Sequence, residues 1–384
     1  MKRRYRRIVA KFGTNLLTDD EKLDLEQMGR LVAQVAQLRQ AGIEVIVVSS
    51  AAVAAGRARL GLSKRSRRRD IPFRQMLAAV GQGQLMQAYD RLFGEHDIPI
   101  AQVLLTRRDL SERMSYLNAR NTFLALLHYK VVPIVNENDV VALEEVVQSR
   151  IGENDTLGAL TANLVDADLL VMLMTRDGLY AGDPGVDPSV ELVRRVDRID
   201  ATIEAYAGGS ESGGTGGMVT KLTAARLATA AGTDVVIANG YEPDVLVRLA
   251  QGEPIGTLFP AASDRLESRK RWILSGLSVR GSVVVDEGAA RALRERNTSL
   301  LPAGVKDVCG EFQRGDAADI AVVTGERISC GIANYGSHEL VAIKGAKSSE
   351  IAKILGYDYG AEAVHRDNLV LVQEDERWKL TRRC

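Results

Sequence analysis

Short apolar runs alternate with longer helix-like segments through the first two thirds of this 384-residue chain. The apolar runs are rich in Val, Ile and Leu and show little internal alternation, which is typical of strands buried on both faces. They cover residues 8–10, 43–48, 101–105, 131–135, 169–174 and 235–238. The helix-like segments include residues 25–40, 73–93, 116–129 and 155–165. This order predicts an α/β fold with an open, mainly parallel sheet sandwiched by helices.

The alternation stops near residue 260, which we take as the end of a first domain over residues 1–260. Residues 261–275 are polar and charged, and they are predicted to form a linker. Residues 277–286 and 318–324 then show short strand-like alternation with glycine-containing turns between them. We therefore expect a small, mostly β second domain over residues 276–384.

The bulk composition narrows the classes of function. Acidic and basic residues balance at 50 each, so the net charge predicts neither nucleic-acid nor membrane binding. The three cysteines form no C-x-x-C pair, which favours a reducing, cytoplasmic setting. The four histidines are scattered, so we expect no metal site built from the protein alone. No apolar run reaches the roughly 18 residues that would span a bilayer.

The glycine-rich run at residues 208–221, GGSESGGTGGMVTK, ends at a lysine and enters a helical pattern. Glycines allow backbone N–H groups to turn toward an anion, and a helix start adds free N–H groups and a positive dipole end. Lys221 stands close enough to reach the same anion. The run is not a Walker A loop, because G-x-x-x-x-G-K-[ST] is absent. It predicts a phosphate site, with a flexible surface loop as the alternative.

Polar residues also follow several predicted strands. Ser49 and Ser50 stand at a helix start, where they could cap the helix or bind a substrate. Ligands collect at the carboxyl ends of parallel strands. We therefore expect one sheet edge to bring together Lys11, Ser50, Asp139, Asn154, Asp155 and Lys221. Two lysines with amides and hydroxyls suit phosphoryl transfer to a small polar acceptor, which needs mainly positioning and charge stabilisation.

At these residues the chain resembles the glutamate 5-kinases, which have the amino acid kinase fold, over nearly its whole length. The matching stretches are KFGT at 11–14, SSAAVAAG at 49–56, AAVGQ at 78–82, LLTR at 104–107, LNAR at 117–120, NEND at 136–139, DGLY at 177–180, GTGGM at 214–218, TK at 220–221 and RKRW at 269–272. Residues 284–290, 299–305 and 355–360 resemble the PUA domain that such kinases often carry.

This resemblance implies phosphorylation of the glutamate side-chain carboxylate by ATP with Mg²⁺, giving glutamyl 5-phosphate for proline synthesis. It also implies a homo-oligomer and feedback inhibition by proline. The catalytic residues would be Lys11, Asp155 and Lys221, and the glutamate-binding residues Ser50, Asp139 and Asn154. ATP would contact Lys11, Met174, Thr175, Thr215, Gly216, Gly217, Met218, Val219, Thr220 and Lys221.

The chain departs from the family pattern at two main places, and Glu153 replaces a common aspartate as a third, milder change. Ala51 stands where these kinases usually have glycine, so its methyl group could narrow the acceptor pocket or be absorbed by a backbone shift. Met174 and Thr175 stand where a hydroxyl residue followed by aspartate is usual. The nucleotide contacts at the end of that strand are therefore open.

Two other functions are compatible with the same motifs. The kinase could use another acceptor, such as N-acetylglutamate, aspartate, carbamate or a uridine nucleotide, although Asp139 favours an acceptor with a free ammonium group. Alternatively, the chain could bind RNA through the PUA-like domain and have an inactive kinase domain. That domain has about as many acids as bases, without the basic excess expected of an RNA-binding surface, so RNA is not an expected partner.

Overall fold

The computed structural model describes residues 5–20, 22–62, 70–142, 153–208, 217–262, 279–296 and 298–371. The chain divides into two compact units, Met1–Arg265 and Leu266–Cys384. The division falls inside the predicted linker at 261–275, most of which lies outside the described residues.

The first unit is built around a seven-stranded sheet in the order β5-β6-β4-β1-β7-β8-β9. Its strands are β1 (Arg7–Phe12), β4 (Glu44–Ser49), β5 (Ile100–Leu105), β6 (Val132–Glu137), β7 (Leu169–Met174), β8 (Asp234–Asn239) and β9 (Thr257–Phe259); a separate two-stranded sheet pairs β2 (Thr18–Asp19) with β3 (Lys22–Leu23). Only β9 runs antiparallel to its neighbour in the large sheet. The predicted mainly parallel sheet is confirmed.

Helices cover both faces of this sheet. They are α1 (Thr14–Leu17), α2 (Leu25–Gln40), α3 (Ala52–Arg59), α4 (Ile71–Gly94), α5 (Arg107–Ser111), α6 (Arg113–His128), α7 (Glu153–Leu164), α8 (Ala201–Ala207), α9 (Met218–Ala230) and α10 (Val245–Ala250). Successive residues of β1 point into different cores: Ile8 and Ala10 pack with α2, α4 and α10, whereas Val9 packs with α6, α7 and α9. Burial on both faces explains why the strands are continuously apolar.

Helices α3 and α4 pack so closely that their backbones touch. A Cβ atom added to Gly56 would lie 1.9 Å from the carbonyl oxygen of Leu77. One added to Gly81 would lie 1.8 Å from the carbonyl oxygen of Ala52. Both contacts are much shorter than real Cβ contacts, so glycine is required at this crossing. The crossing holds the start of α3 against the middle of α4.

The second unit contains a five-stranded sheet in the order β11-β10-β12-β13-β14. Its strands are β10 (Gly281–Val285), β11 (Val305–Gly310), β12 (Ala317–Val322), β13 (Arg327–Ile332) and β14 (Leu369–Leu371), and its helices are α11 (Glu287–Arg296), α12 (Ser337–Ile343) and α13 (Ile351–Leu355). β10 pairs with β12 in parallel, and the other pairs are antiparallel. The sheet packs on its own core, which includes Val283, Ile320 and Leu340.

The first strand of this unit begins later than predicted. The prediction ran over 277–286, whereas β10 covers Gly281–Val285. Val279 and Arg280 just before it are exposed and lie outside the strand, although the Arg280 N–H still donates to the carbonyl oxygen of Ala317 at 3.2 Å. Among the helices in the described part of the chain, none is long and apolar enough to cross a membrane.

Candidate active site

A buried carboxylate joins two lysines at the carboxyl edge of the main sheet. Asp155 lies in the first turn of α7, Lys11 near the end of β1 and Lys221 in the first turn of α9. Lys11 Nζ is 2.7 Å from Asp155 Oδ1, and Lys221 Nζ is 3.1 Å from Asp155 Oδ2. Thr220 Oγ1 is 2.7 Å from both Asp155 Oδ2 and the carbonyl oxygen of Gly217. The structure thus brings together all three predicted catalytic residues.

The charges of this cluster stabilise one another in a region with almost no contact to solvent. Burial would raise the pKa of Asp155, but the ammonium groups of Lys11 and Lys221 outweigh it and hold that pKa well below its usual range. Burial lowers the pKa of Lys221, and the Asp155 carboxylate opposes that shift. One carboxylate between two ammonium groups leaves the cluster with a net positive charge, which suits an anionic ligand.

A second polar network lies beside this cluster. Asn154 Nδ2 donates to Ser50 Oγ at 3.0 Å and to Asn136 Oδ1 at 3.1 Å. Asn136 Nδ2 in turn donates to Gln82 Oε1 at 2.8 Å. Within the described residues, Asn154 Oδ1 and Gln82 Nε2 are buried without a hydrogen-bond partner. The network therefore leaves one open acceptor and one open donor.

The turn after β4 differs from an ordinary helix cap. The residue before α3 is Ala51, not a serine, and it makes no side-chain hydrogen bond to the helix. The interpretation of Ser49 and Ser50 as helix caps is therefore wrong. Ala51 adopts φ 83° and ψ 1°, the left-handed region, which costs a residue with a side chain roughly 1–2 kcal/mol. The left-handed backbone explains why glycine suits this position, and the methyl group of Ala51 is accommodated at a conformational cost.

A narrow cleft of about 140 Å³ lies at the end of β7. Its lining includes Met174, Thr175, Gly217 and Met218, four of the predicted ATP-binding residues. Next to them, Asp177 accepts hydrogen bonds from Asn239 Nδ2 and from the Tyr180 hydroxyl, both at 2.9 Å. Met174 and Thr175 are the second place where the chain departs from the family pattern. Thr175 is exposed there, and two residues later the carboxylate of Asp177 is held in place by two donors.

The remaining predicted residues are less fully described. Asp139 lies half-buried in the turn after β6, at the same sheet edge as Asn136. Val219 is exposed at the start of α9. Thr215 and Gly216, with the rest of the glycine run from residue 209, lie outside the described residues.

Sequence reasoning favoured a functional role for the polar run 136–139 but included neither Gln82 nor Asn136 among the candidate site residues, although both stand in family-like stretches. Gln82 lies on α4, 54 residues before its partner Asn136. The available signal was its helical spacing from Leu85 and Tyr89, which are both buried on the same face of α4.

A larger cavity of about 480 Å³ lies elsewhere, between α2 and the turn after β8. Its lining includes Arg30, His96 and Tyr241, and none of the predicted site residues. At its base, Gln27 Nε2 donates to the carbonyl oxygen of Gly240 at 2.7 Å, so the buried amide is already engaged. Although this cavity is larger, we do not take it as the candidate active site, because the two lysines and the amide network lie at the carboxyl edge of the main sheet.

Within the described residues, no group of three or more His, Cys, Asp or Glu side chains could hold a metal ion. The carboxylate of Asp155 is engaged by both lysines. A magnesium ion at this site would therefore be held mainly by phosphate oxygens of a nucleotide, which is how Mg²⁺ is often bound in kinases.

Residues 6–239 match the model of the amino acid kinase family, and residues 281–355 match that of the PUA domain. The glutamate 5-kinase of Dehalococcoides mccartyi (strain CBDB1) is 49% identical over 370 residues, covering 96% of this chain and 99% of the relative. The glutamate 5-kinase of Herpetosiphon aurantiacus is 52% identical over 366 residues, covering 95% and 98%. That of Synechococcus sp. (strain JA-3-3Ab) is 50% identical over 368 residues, covering 95% and 98%.

Proposed function

Because the chain belongs to the amino acid kinase family and shares about half of its residues with glutamate 5-kinases along nearly its full length, we propose that it phosphorylates the side-chain carboxylate of glutamate with ATP. The observation that carries this proposal at the level of chemistry is the Lys11–Asp155–Lys221 cluster, which lies beside the Ser50–Asn154 pair. The product is glutamyl 5-phosphate, which enters proline synthesis.

The lysine cluster acts on the phosphate side of the reaction. A carboxylate acceptor is already ionised at neutral pH, so it needs no general base. The difficulty is repulsion between this carboxylate and the polyphosphate. Lys11 and Lys221 neutralise charge on the transferring phosphoryl group, and such preorganised charges are among the largest contributions to catalysis. Asp155 holds the two ammonium groups apart and in place before substrate arrives.

The amide network acts on the acceptor side. The open acceptor Asn154 Oδ1 suits an ammonium group, and the open donor Gln82 Nε2 suits a carboxylate. A free amino acid carries both groups. Ser50 and Asp139 complete this side, and the carboxylate of Asp139 balances the ammonium charge of the acceptor.

ATP occupies the cleft at the end of β7, and its phosphates extend toward Lys221 past the start of α9. The helix start contributes free N–H groups and the positive end of its dipole. Mg²⁺ enters with the nucleotide and neutralises part of the phosphate charge. We extend the proposal to action in the cytoplasm as a homo-oligomer, with proline as an inhibitor on the acceptor side.

Steady-state ADP release with ATP-Mg²⁺ and a panel of glutamate, N-acetylglutamate and aspartate tests this function. Saturable turnover is expected with glutamate. Turnover confined to N-acetylglutamate would contradict the assignment of the acceptor. Proline added to the glutamate reaction tests the proposed inhibition in the same assay.

Substitution of Lys221 by Gln tests the phosphate role, since it removes the charge and keeps a polar side chain that is only one atom shorter. We expect kcat to fall by at least about 100-fold, the typical effect of losing one stabilising donor at a transition state. The matched control is Lys130→Gln, at an exposed lysine in the turn before β6, at the opposite edge of the sheet. Near-normal turnover of the folded Lys221 variant would show that the phosphate assignment is wrong.

A further inference from the structure

Two buried hydroxyl groups lie directly beneath the acceptor side of the site, and neither belongs to the cluster or network described above. Ser49 ends β4, and Tyr89 lies on α4; both side chains are completely buried. Their hydroxyl oxygens are 2.8 Å apart. Ser49 Oγ also donates to the carbonyl oxygen of Ser50 at 3.1 Å. The three groups form a short chain that ends at the residue that carries the acceptor-side hydroxyl.

The direction of this chain follows from counting protons. A serine hydroxyl has one proton, and Ser49 gives it to the carbonyl oxygen of Ser50. Tyr89 must therefore donate to Ser49. Burial raises the pKa of Tyr89 above its usual value, and the smaller opposing effect of Ser49 does not reverse this. The phenol thus stays protonated and remains a donor over the whole working pH range.

The receiving carbonyl is located at the strained point of the backbone. The oxygen of Ser50 belongs to the peptide plane that connects Ser50 to Ala51, so holding this oxygen limits rotation of that plane. Ala51 has φ 83°, a conformation that an alanine leaves readily when nothing holds it. The side chain of Ser50 is attached to the same plane, and it receives the hydrogen bond from Asn154.

We propose that the Tyr89–Ser49 hydroxyl pair is a positioning device that keeps the Ser50–Ala51 turn in its left-handed conformation, so that Ser50 faces the acceptor. This proposal rests on the proposed function. Neither hydroxyl touches substrate, so both act through Ser50. A glycine at position 51 would adopt the left-handed turn without strain and would need less support. With alanine there, this chain depends on the hydroxyl pair.

The test compares three single variants. Tyr89→Phe and Ser49→Ala each remove one hydroxyl and keep the rest of the side chain. The matched control is Tyr5→Phe, since Tyr5 is also buried and its hydroxyl donates to Asp234 Oδ2 at 3.1 Å, at the amino edge of the same sheet. Thermal unfolding establishes that each variant is folded at the assay temperature. KM and kcat are then measured separately for ATP and for the acceptor.

For Tyr89→Phe and Ser49→Ala we expect KM for glutamate to rise by roughly three- to tenfold, the effect of one lost hydrogen bond, while KM for ATP changes by less than about twofold. Tyr5→Phe should leave both constants within about twofold of the unmodified protein. The proposal would be overturned if KM for glutamate and KM for ATP rose equally. It would also be overturned if Tyr89→Phe changed KM for glutamate no more than Tyr5→Phe does.

Adding Ala51→Gly gives an independent readout. Glycine adopts positive φ without strain, so the hydroxyl pair should become dispensable. In the Ala51→Gly background, the effect of Tyr89→Phe on KM for glutamate should shrink to less than about twofold. An undiminished effect would contradict the role assigned to the turn. The acceptor panel on the unmodified protein tests the proposed function separately. If the protein uses another acceptor, the change of KM from the unmodified protein to each variant is measured with that acceptor.

Discussion

At the scale of single residues, the proposed chemistry depends on one carboxylate that lies between two cations. Asp155 is fully buried, and the side chains of Lys11 and Lys221 are almost as inaccessible. Burying three charges is unfavourable unless each is paired. The cluster satisfies this condition while keeping a surplus positive charge, so it is stable without substrate and attractive to phosphate.

Replacing Asp155 by Asn removes the charge and keeps the shape. Two buried ammonium groups then lose their partner, and we expect the free energy of unfolding to fall by about 3–5 kcal/mol, with a large loss of turnover. Urea unfolding at pH 7 measures the first effect. The control is Asp197→Asn, which breaks an exposed pair with Arg195 and should change stability by less than about 1 kcal/mol.

The same carboxylate gives a pH dependence of defined sign. The pKa of Asp155 is lowered in the folded protein, so the unfolded chain binds this proton at a higher pH than the folded one. The stabilisation is therefore complete above about pH 4 and is lost as pH falls toward the folded pKa, by up to about 1.4 kcal/mol per pH unit. Urea unfolding between pH 6 and pH 3 should show the stability difference between the protein and Asp155→Asn narrowing below pH 4. A constant difference would contradict the assignment.

Ala51→Gly should stabilise the protein. Relief of the left-handed strain exceeds the added flexibility of the unfolded chain, and we expect a gain of up to about 1 kcal/mol. The control is Ala55→Gly in the next turn of α3, where the backbone is helical and the same change should destabilise by about 1 kcal/mol or more. Thermal unfolding of both variants compares them directly. If Ala51→Gly lowered the stability as much as Ala55→Gly does, the backbone at Ala51 would carry no left-handed strain.

The sequence made the charged cluster predictable, because each lysine stands beside a recognisable signal: Lys11 lies near the end of an apolar strand, and Lys221 follows a glycine run. The Tyr89–Ser49 contact was not predictable. It joins residues 40 positions apart, and it depends on how α4 crosses β4, which hydrophobic periodicity does not determine. The left-handed conformation of Ala51 was hidden for the related reason that alanine favours other conformations.

At the scale of elements, helix α4 supports the acceptor side at three points along one helix. Gly81 contacts the start of α3, Gln82 bonds to Asn136, and Tyr89 bonds to Ser49. The strands and the long helices were predictable from apolar runs and helical spacing. The order of the strands was not, since pairing between distant strands leaves no local pattern in the chain.

Gly81→Ala tests the support given by this helix. The new methyl group would collide with the backbone of α3, so we expect a loss of stability of about 1–3 kcal/mol and a raised KM for glutamate. Gly83→Ala is the control, because nothing lies within 4 Å of its Cβ position. That variant should gain up to about 1 kcal/mol from the higher helix propensity of alanine. Similar losses in both variants would show that the close crossing is unimportant.

At the scale of the whole molecule, all candidate site residues belong to the first unit. This unit has two hydrophobic cores of its own, one on each face of its sheet, and the second unit has a separate core. The placement of the chemistry in one unit agrees with the sequence, in which every motif at a strand end precedes residue 222.

A chain truncated after residue 265 should therefore fold and retain turnover with glutamate and ATP. We expect kcat within about tenfold of the full chain, since the transition-state contacts all remain. Lys221→Gln in the truncated chain should abolish turnover, which shows that the measured activity comes from the same site. A folded but inactive truncated chain would assign an essential part of the reaction to the second unit.

In the proposed reaction, neighbouring positions at the start of α7 serve opposite substrates: Asn154 bonds to Ser50 on the proposed acceptor side, and Asp155 holds the two lysines on the proposed phosphate side. The first turn of α7 therefore fixes the spacing between the groups proposed to bind the two substrates. A shift of that turn would move Asn154 and Asp155 together. It would therefore change the phosphate side whenever it changed the acceptor preference. Divergence toward another acceptor in this scaffold must proceed through the other positions of the pocket, with Gln82 and Asn136 the nearest.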